Sequence, residues 1–319
     1  MADNKREKIS FVIPCYNSTN TIGTVVEEIK TVMTQELSSY DYEIVLVNDG
    51  SPDGTTYGAI LDIVAKEKHI KGINLARNFG QPSAVMAALN HATGDYVVCG
   101  DDDGQTPFCE FPKLFAKIQE GYDLVEARYA TREKRSLFRR MGTFMNEGMS
   151  TWLISKPKDL ELTTYWVVKR FIVDQMIQYP NTYPYLGGLM LRATQNACNV
   201  DVSHRERLSG KSGYNFRKML ELWLNGFTSF SVEPLRLMSK LGILVSILGF
   251  LFGIFIVVRK IIDPSISAGY SSIMAVMVFF FGIVFFFLGV LGEYVGRIYI
   301  SLNRAPQFVV KDYKESDEL

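Results

Sequence analysis

The sequence predicts an α/β domain built on a mostly parallel sheet, followed by two membrane-spanning α-helices. Three observations support this fold class. Short β-rich runs alternate with segments of helical periodicity through the first third of the chain. Polar residues follow each of the first four predicted strands, and two long uncharged apolar runs lie side by side near the C-terminus. Strands that alternate with helices are typical of a parallel sheet with helices on both faces.

Each predicted strand is an apolar, β-rich run that stops at a polar or glycine-containing turn. The predicted strands are Ile9–Pro14, Glu43–Asn48, Ile70–Leu75 and Tyr96–Gly100, and the predicted helices are Thr21–Leu37, Thr55–Glu67 and Pro82–His91. Ligands of such sheets bind at the carboxyl ends of the strands, so we expect the functional site at that edge.

The composition excludes one broad class of function. The chain has 319 residues, with 34 basic and 34 acidic side chains. This balance argues against a protein that binds nucleic acid through bulk electrostatics. The N-terminal stretch Met1–Lys8 is polar, so no signal peptide is predicted and the α/β domain is expected in the cytoplasm.

The two apolar runs are predicted to cross a membrane. Leu241–Val258 carries no charged residue, and Ser272–Leu291 is equally apolar. Each approaches the roughly 20 residues needed to span a bilayer. The expected spans are about 241–260 and 271–292. Two spans return the tail to the side of the α/β domain, and most flanking cations lie on that side: Arg236, Lys240, Arg297, Arg304, Lys311 and Lys314. Arg259 and Lys260, in the short outer loop, are expected to snorkel to the interface.

These patterns define four segments: the α/β domain at 1–213, an amphipathic segment at 214–238, the two spans at 239–292, and a cytosolic tail at 293–319. The segment Tyr214–Phe230 mixes aromatic and basic residues, so it fits either a helix in the membrane interface or a helix that covers the sheet. Lys314–Leu319 are expected to be disordered.

The residues that follow the four strands form one candidate site. They are Pro14-Cys15-Tyr16-Asn17, Asn48-Asp49-Gly50-Ser51, Arg77-Asn78 and Asp101-Asp102-Asp103. Three consecutive carboxylates raise each other's pKa unless a cation offsets them. On an extended chain Asp101 and Asp103 point the same way, and Asp102 points to the other face. The pair therefore predicts a Mg²⁺ or Mn²⁺ site that bridges to phosphates, with Asp102 in support and Gln105 near enough to complete it.

The same motifs resemble a known family. Phe11–Asn17, Val47–Ser51 and Asp101–Asp103 are similar to the family 2 glycosyltransferases of the GT-A fold. Arg77–Gln81, Ser83–Ala87 and the tail segments Leu291–Tyr299 and Arg304–Pro306 narrow this to polyprenyl-phosphate glycosyltransferases. Dolichol-phosphate mannose synthase and the bacterial GtrB-type and ArnC-type enzymes belong to that group. The resemblance covers nearly the whole chain.

The resemblance implies a role for each matching residue. Pro14, Tyr16, Asn17 and Asp49 match positions that hold the nucleotide, with Asp49 accepting from a base N–H, and Arg77 and Gln81 lie near the donor. Asp101, Asp102 and Asp103 match the ribose- and diphosphate-binding acidic motif, in which Asp101, Asp103 and Gln105 hold the metal. Residues expected near the acceptor phosphate are Arg128, Arg132, Arg139, Arg205, Arg207, Lys211, Ser212 and Tyr214, and the catalytic set is Asp103, Arg128 and Arg207.

The implied reaction is transfer of a sugar from a nucleotide sugar to a lipid phosphate, undecaprenyl phosphate in bacteria, at the cytosolic face of the inner membrane. The expected purpose is cell-envelope glycan synthesis or modification. UDP is the expected carrier, with GDP or another nucleotide left open. Attack opposite the leaving group inverts the anomeric centre, and metal and arginines supply the electrostatics. The resemblance also implies a homo-oligomer, a homotetramer in bacterial relatives.

One segment departs from the family. Relatives carry an acid followed by an arginine near Asp159–Arg170, whereas this chain has Leu162-Thr163-Thr164-Tyr165-Trp166. A catalytic base is therefore not assigned, and neither is the sugar. Two other functions stay open: a transferase acting on another lipid or on a polysaccharide, and a non-catalytic membrane scaffold. The chain lacks the Q-x-x-R-W motif of processive synthases, and the intact Asp101/Asp103 pair argues against a scaffold.

Overall fold

The computed structural model describes residues 6–129, 156–157, 159–203, 205, 233–262, 269–303 and 305–316. The chain divides into two compact units. The first, called here the α/β unit, comprises residues 1–220 and 304–319, and the second, the helical unit, comprises residues 221–303. Each is described by itself.

The described part of the α/β unit contains one eight-stranded sheet with helices between its strands. The strands are β1 (Lys8–Cys15), β2 (Asp41–Asn48), β3 (Ile70–Leu75), β4 (Tyr96–Cys99), β5 (Leu124–Tyr129), β6 (Trp166–Lys169), β7 (Ala197–Val202) and β8 (Val310–Glu315). The helices are α1 (Ile22–Gln35), α2 (Thr56–Lys66), α3 (Gln81–His91), α4 (Phe111–Gln119), α5 (Arg170–Met176) and α6 (Leu186–Ala193), with a 3₁₀ turn at Phe108–Glu110. The strand order is β7-β5-β6-β4-β1-β2-β3-β8.

Strands β1 to β4 pair in parallel, as the alternation of strands and helices predicts. Strand β6 is antiparallel to β4 and to β5, so β5 runs in the direction of β4. The carboxyl ends of β1 to β5 therefore lie at one edge of the sheet. That shared edge is where the polar strand-end residues meet.

The core explains why these runs form strands. Parallel strands covered on both faces are apolar throughout, and seven of the eight residues of β1 are buried. On one side Phe11 packs edge-on against Phe108 and Phe111, with ring centroids 6.1 and 5.2 Å apart. Helix α1 buries Ile22, Val25 and Ile29 on the stripe that faces the sheet.

The predicted bounds of the first seven elements agree with the structure to within two residues at each end, and those of β3 are identical. The tail differs from the expectation. Lys314 and Glu315, expected to be disordered, belong to β8, which pairs antiparallel with β3. The main-chain groups at the exposed edge of β3 need partners, and this distant segment supplies them.

The helical unit contains α7 (Glu233–Ile262) and α8 (Tyr270–Leu302). Both are long and apolar enough to cross a membrane, with windows Met238–Phe255 and Phe279–Gly296 each at mean hydropathy 2.0. They extend beyond the expected spans of 241–260 and 271–292, so residues 293–302 of the predicted tail are helical. Mean hydropathy identifies the residues that are apolar enough to lie in lipid. A helix can extend further, because its length depends on main-chain hydrogen bonds and not on apolar side chains. Most of the amphipathic segment 214–238, up to residue 232, lies outside the described residues.

Candidate active site

The ends of β1, β2 and β3 lie side by side in the sheet. Cys15 is opposite Asn48, and Asn48 is opposite Asn74. The backbone N–H of Asp49 donates to the carbonyl of Cys15 at 2.9 Å, so the two strand-end loops leave the sheet together. Further hydrogen bonds tie these two loops to the end of β4 and to the loop that follows β3.

Asp49 holds the loop that follows β3. Its Oδ1 accepts from the N–H of Phe79 at 2.7 Å and its Oδ2 from the N–H of Gly80 at 2.9 Å. Burial raises the pKa of this carboxyl, and the two backbone donors counteract that effect. Gly50, at φ +56°, lets the loop come close, because a Cβ there would lie 2.2 Å from the carbonyl carbon of Arg77. Asp49 thus shapes the site, and its contact with a base stays a prediction.

Asp101 is held between two donors from different elements. Gln81, the first residue of α3, donates from Nε2 to Oδ1 at 2.7 Å. Thr164, just before β6, donates from Oγ1 to Oδ2 at 2.6 Å. The structure thereby brings together Gln81 and Asp101, two of the residues predicted to bind the donor nucleotide, and places Thr164 beside Asp101.

Asp102 turns the other way, as the alternation of an extended chain predicts. Its Oδ2 accepts from the backbone N–H of Tyr16 at 2.9 Å, which links the ends of β4 and β1. Burial raises the pKa of Asp102 to about 6, aided by the charges of Asp101 and Asp103 and opposed by the Tyr16 bond. This carboxyl therefore holds the loop that begins at Tyr16, at the end of β1.

Asp103 begins a tight turn, in which its Oδ1 accepts from the N–H of Gln105 at 3.0 Å. The side-chain amide of Gln105 donates to the carbonyl of Arg205 at 3.3 Å. Among the described residues, no group of three or more His, Cys, Asp or Glu side chains is assembled to hold a metal. Two carboxylates and an amide oxygen nonetheless fit Mg²⁺ or Mn²⁺, which commonly take one or two protein carboxylates and complete their shell with substrate phosphates and water.

The predicted basic residues that the structure describes have partners within the protein. The guanidinium carbon of Arg77 lies 4.5 Å from the centroid of the Phe79 ring. Arg128 donates to Asp201 at 2.5 Å in an exposed pair between β5 and β7. Arg205 forms a double hydrogen bond with Glu28, both distances being 2.9 Å. In this structure Arg128 and Arg205 are thus paired with carboxylates, and their contact with a phosphate stays a prediction.

The remaining predicted residues fall into two groups. Pro14 is buried in β1, and Asn17, at φ +55°, donates its N–H to Ser51 Oγ at 3.1 Å. Six residues lie outside the described part of the chain: Arg132, Arg139, Arg207, Lys211, Ser212 and Tyr214.

Sequence reasoning missed the residues that fix the divergent Leu162–Trp166 segment. Glu126, fully buried in β5, accepts the N–H of Thr163 at 2.9 Å and its hydroxyl at 3.2 Å. Asn199 of β7 bonds both main-chain groups of Glu161, each at 2.8 Å. Burial raises the pKa of Glu126 to about 8 despite these donors. A glutamate inside an apolar strand was the available signal.

Comparison with known proteins places the chain among glycosyltransferases. Residues 10–192 match the family described as Glycosyl transferase family 2, and residues 233–298 match the GtrB C-terminal hairpin. A Photorhabdus laumondii protein named undecaprenyl-phosphate 4-deoxy-4-formamido-L-arabinose transferase is 33% identical over 99% of this chain and 98% of its own length. A Proteus mirabilis protein of the same name is 33% identical over 96% of this chain and 94% of its own.

Among solved structures, mannosyl-3-phosphoglycerate synthase from Rubrobacter xylanophilus is similar over 68% of this chain and 70% of its own, at 18% identity and a TM-score of 0.49. That likeness is too distant to bear on the ligands of the present chain.

Proposed function

Given that the chain belongs to glycosyl transferase family 2, with a GT-A catalytic fold and a GtrB-type C-terminal hairpin, we propose that it transfers a sugar from a nucleotide sugar to a polyprenyl phosphate. Undecaprenyl phosphate is the proposed acceptor, a UDP-sugar is the proposed donor, and the reaction inverts the anomeric centre. The α/β unit, called the catalytic unit from here on, works at the cytosolic face of the bacterial inner membrane.

The observation that carries this proposal is the hydrogen-bonded meeting of the strand ends. Asp102 accepts a hydrogen bond from Tyr16, and Asp101 accepts one from Gln81. Asp49 holds the loop that precedes Gln81 by accepting from the N–H of Phe79. Carboxylates for a divalent cation thus lie beside a loop suited to a base, the pairing that a nucleoside diphosphate needs. The full-length relatives are named for undecaprenyl phosphate, which supports the lipid acceptor.

The proposed chemistry is a single displacement. An oxygen of the lipid phosphate bonds to the anomeric carbon as the bond from that carbon to the diphosphate oxygen breaks, and the nucleoside diphosphate leaves with the electron pair. The acceptor is already an anion, so no proton has to be removed from it. This accounts for a site in which the family acid near Leu162–Trp166 is missing.

The protein's part is to hold the charges in place. Asp101, Asp103 and Gln105 would hold a divalent cation, which when bound offsets the charge of the leaving diphosphate. Gln81 and Thr164 orient the Asp101 carboxylate, and Asp102 orients the Tyr16 loop. Groups held in place beforehand stabilise the developing charge without a free-energy cost of reorganisation during the reaction.

The membrane topology is proposed on the basis of the C-terminal strand. Helices α7 and α8 indicate membrane association, and β8, which follows α8, pairs with β3 of the catalytic unit. A chain that leaves this unit and returns to it crosses a membrane an even number of times. We propose a two-pass hairpin whose outer end is the stretch between α7 and α8.

The direct test is activity on a lipid. Purified full-length protein with Mn²⁺ or Mg²⁺ and undecaprenyl phosphate would be incubated with a panel of nucleotide sugars, and the lipid analysed by mass spectrometry. We expect one donor to add a single sugar mass, and Asp103→Asn to abolish the addition. An unmodified lipid with every donor would refute the function. An α-linked product from an α-linked donor, identified by NMR, would refute inversion alone.

The topology is tested by labelling intact bacterial cells. A membrane-impermeant maleimide should label a cysteine introduced between residues 263 and 268. It should label Cys109, which is exposed on the catalytic unit, only after lysis. Equal labelling of both before lysis contradicts the cytosolic placement.

A further inference from the structure

A row of polar side chains crosses the sheet at its carboxyl edge. Asn48 of β2, Asn74 of β3 and Asp312 of β8 are neighbours in the strand register. Asn48 Nδ2 donates to Asn74 Oδ1 at 2.8 Å, and Asn74 Nδ2 donates to Asp312 Oδ2 at 3.1 Å. The row therefore joins a strand that follows the membrane helices to the second strand of the catalytic unit.

The row continues into the loops that follow β2 and β1, which contain Ser51 and Asn17. Asn48 Oδ1 accepts from the hydroxyl of Ser51 at 2.6 Å and from its N–H at 3.3 Å. Ser51 Oγ in turn accepts the backbone N–H of Asn17 at 3.1 Å. The neighbouring N–H, that of Tyr16, donates to Asp102. One continuous hydrogen-bonded chain thus runs from Asp312 to the loop at the end of β1.

The two ends of this chain set its direction. An ionised Asp312 can only accept hydrogen bonds, and the Asn17 N–H can only donate. Asn74 must then turn its NH₂ towards Asp312 and its oxygen towards Asn48. Asn48 must turn its oxygen towards Ser51. The Ser51 hydroxyl donates its proton to that oxygen and accepts the N–H of Asn17 with a lone pair. Without the acceptor at position 312, the Asn74 amide could rotate, and Asn48 would lose the oxygen that accepts its NH₂ on the side away from Ser51.

Several contacts fix the strand that carries Asp312. Ala76 N–H donates to the carbonyl of Val309 at 2.9 Å, and Ile70 N–H donates to Ser316 Oγ at 3.2 Å. The ring of Tyr313 stacks on His91 with centroids 5.2 Å apart. The position of Asp312 is therefore set from both sides along β8.

From these contacts we infer that Asp312 is a positioning residue for the donor nucleotide, acting through Asn74, Asn48 and Ser51 on the Tyr16–Asn17 loop. The nucleotide site is complete only when the segment that follows the membrane hairpin has docked as β8. This inference rests on the proposed function for the identity of the ligand, but its structural part, the ordering of the loop, does not.

The test compares three variants of the full-length protein. Asp312→Ala removes the acceptor, Asp312→Asn keeps an acceptor oxygen, and Lys311→Ala changes the exposed neighbour on the same strand. Binding of UDP and of GDP would be measured by calorimetry with Mn²⁺ present, and hydrogen exchange would be followed in a peptide covering residues 15–18. Thermal unfolding shows whether each variant is folded.

We expect Asp312→Ala to raise the nucleotide Kd roughly three- to tenfold, the factor that corresponds to one net hydrogen bond, and to speed exchange at Asn17. Asp312→Asn and Lys311→Ala should match the wild type. Asn74→Asp places two carboxylates together and should weaken binding further. Combining it with Asp312→Asn removes this repulsion and leaves an acceptor at position 74 facing the Asn48 amide, so the double variant should bind within about twofold of the wild type.

Wild-type Kd and exchange in Asp312→Ala would overturn the inference, as would a double variant no better than Asn74→Asp alone. If the wild type binds neither UDP nor GDP, the proposed function fails, and the exchange measurement still decides whether Asp312 orders the loop.

Discussion

Thr164 offers the sharpest test of the divergent segment, because its hydroxyl contacts the acidic motif directly. Its Oγ1 donates to Asp101 Oδ2 at 2.6 Å, while Gln81 donates to the other oxygen. Thr164→Val keeps the shape of the side chain and removes the donor. The carboxylate then loses one of the hydrogen bonds that orient it.

The size of the effect follows from the kind of bond. Hydrogen bonds to a charged group contribute about 1.5–3 kcal/mol. Thr164 is exposed, so water can replace part of the lost bond, and we take the lower end of that range. A loss of about 1.5 kcal/mol corresponds to roughly a tenfold fall in kcat/KM.

The assay is kcat/KM for sugar transfer, measured beside thermal unfolding. Thr164→Ser should retain activity because it keeps the hydroxyl. Thr194→Val is the matched control, since Thr194 donates to Asp123 Oδ2 at 3.1 Å before β5, near the opposite edge of the sheet. Unchanged activity in Thr164→Val, or an equal loss in Thr194→Val, would show that the Thr164 bond does not orient Asp101.

Three further predictions concern buried groups and close backbone contacts. Burial raises the pKa of Glu43, but hydrogen bonds from lysine, serine and threonine donors outweigh burial and lower this pKa to about 2. The catalytic unit should therefore lose roughly 3 kcal/mol of stability as the pH falls from about 4.5 to about 2. Thermal unfolding of Glu43→Gln should lack this acid dependence. The pKa of Glu126 is shifted in the opposite direction, to about 8, because the group is buried. Stability should therefore decline as the pH rises from about 4.5 to about 8. Glu126→Gln should show a flatter curve of Tm against pH, and a decline identical to that of the wild type would contradict the assignment. Gly50→Ala should abolish nucleotide binding in calorimetry by forcing the loop at Arg77 away, whereas Gly54→Ala, at φ +67° with no atom within 4 Å of its Cβ, should bind normally; equal losses would show that backbone strain alone is responsible.

Much of the parallel core could be predicted from local pattern. An apolar run such as Tyr96–Gly100, bounded by Asp95 and Asp101, is typical of a strand buried on both faces, so its bounds follow from the sequence to within one residue. The antiparallel strands could not be placed that way. Four-residue β6 is too short for a periodic signal. Strand β8 is charged at four of its six positions without a regular alternation, so its strand structure depends on pairing with the edge of β3.

The candidate site divides in the same manner. Asp101, Asp102 and Asp103 were separable by the alternation of an extended chain, and the bond from Tyr16 to Asp102 agrees with that reasoning. The partners of Arg128 and Arg205, namely Asp201 and Glu28, lie 73 and 177 residues away in the chain. No local pattern relates residues at such separations.

Local sequence pattern is enough to predict the α/β alternation, the shared edge at which the strand ends meet, the acidic motif on that edge, and two helices apolar enough for a membrane. These features depend on short-range periodicity and on covalent order. Only the packed fold shows that Thr164 and Gln81 both donate to Asp101 and that Glu126 is buried against the divergent segment. The same holds for the path from Asp312 through Asn74, Asn48 and Ser51 to the loop at the end of β1. Each of these is a contact between elements far apart in the chain, and it exists only because packing of the core brings those elements to within hydrogen-bonding distance.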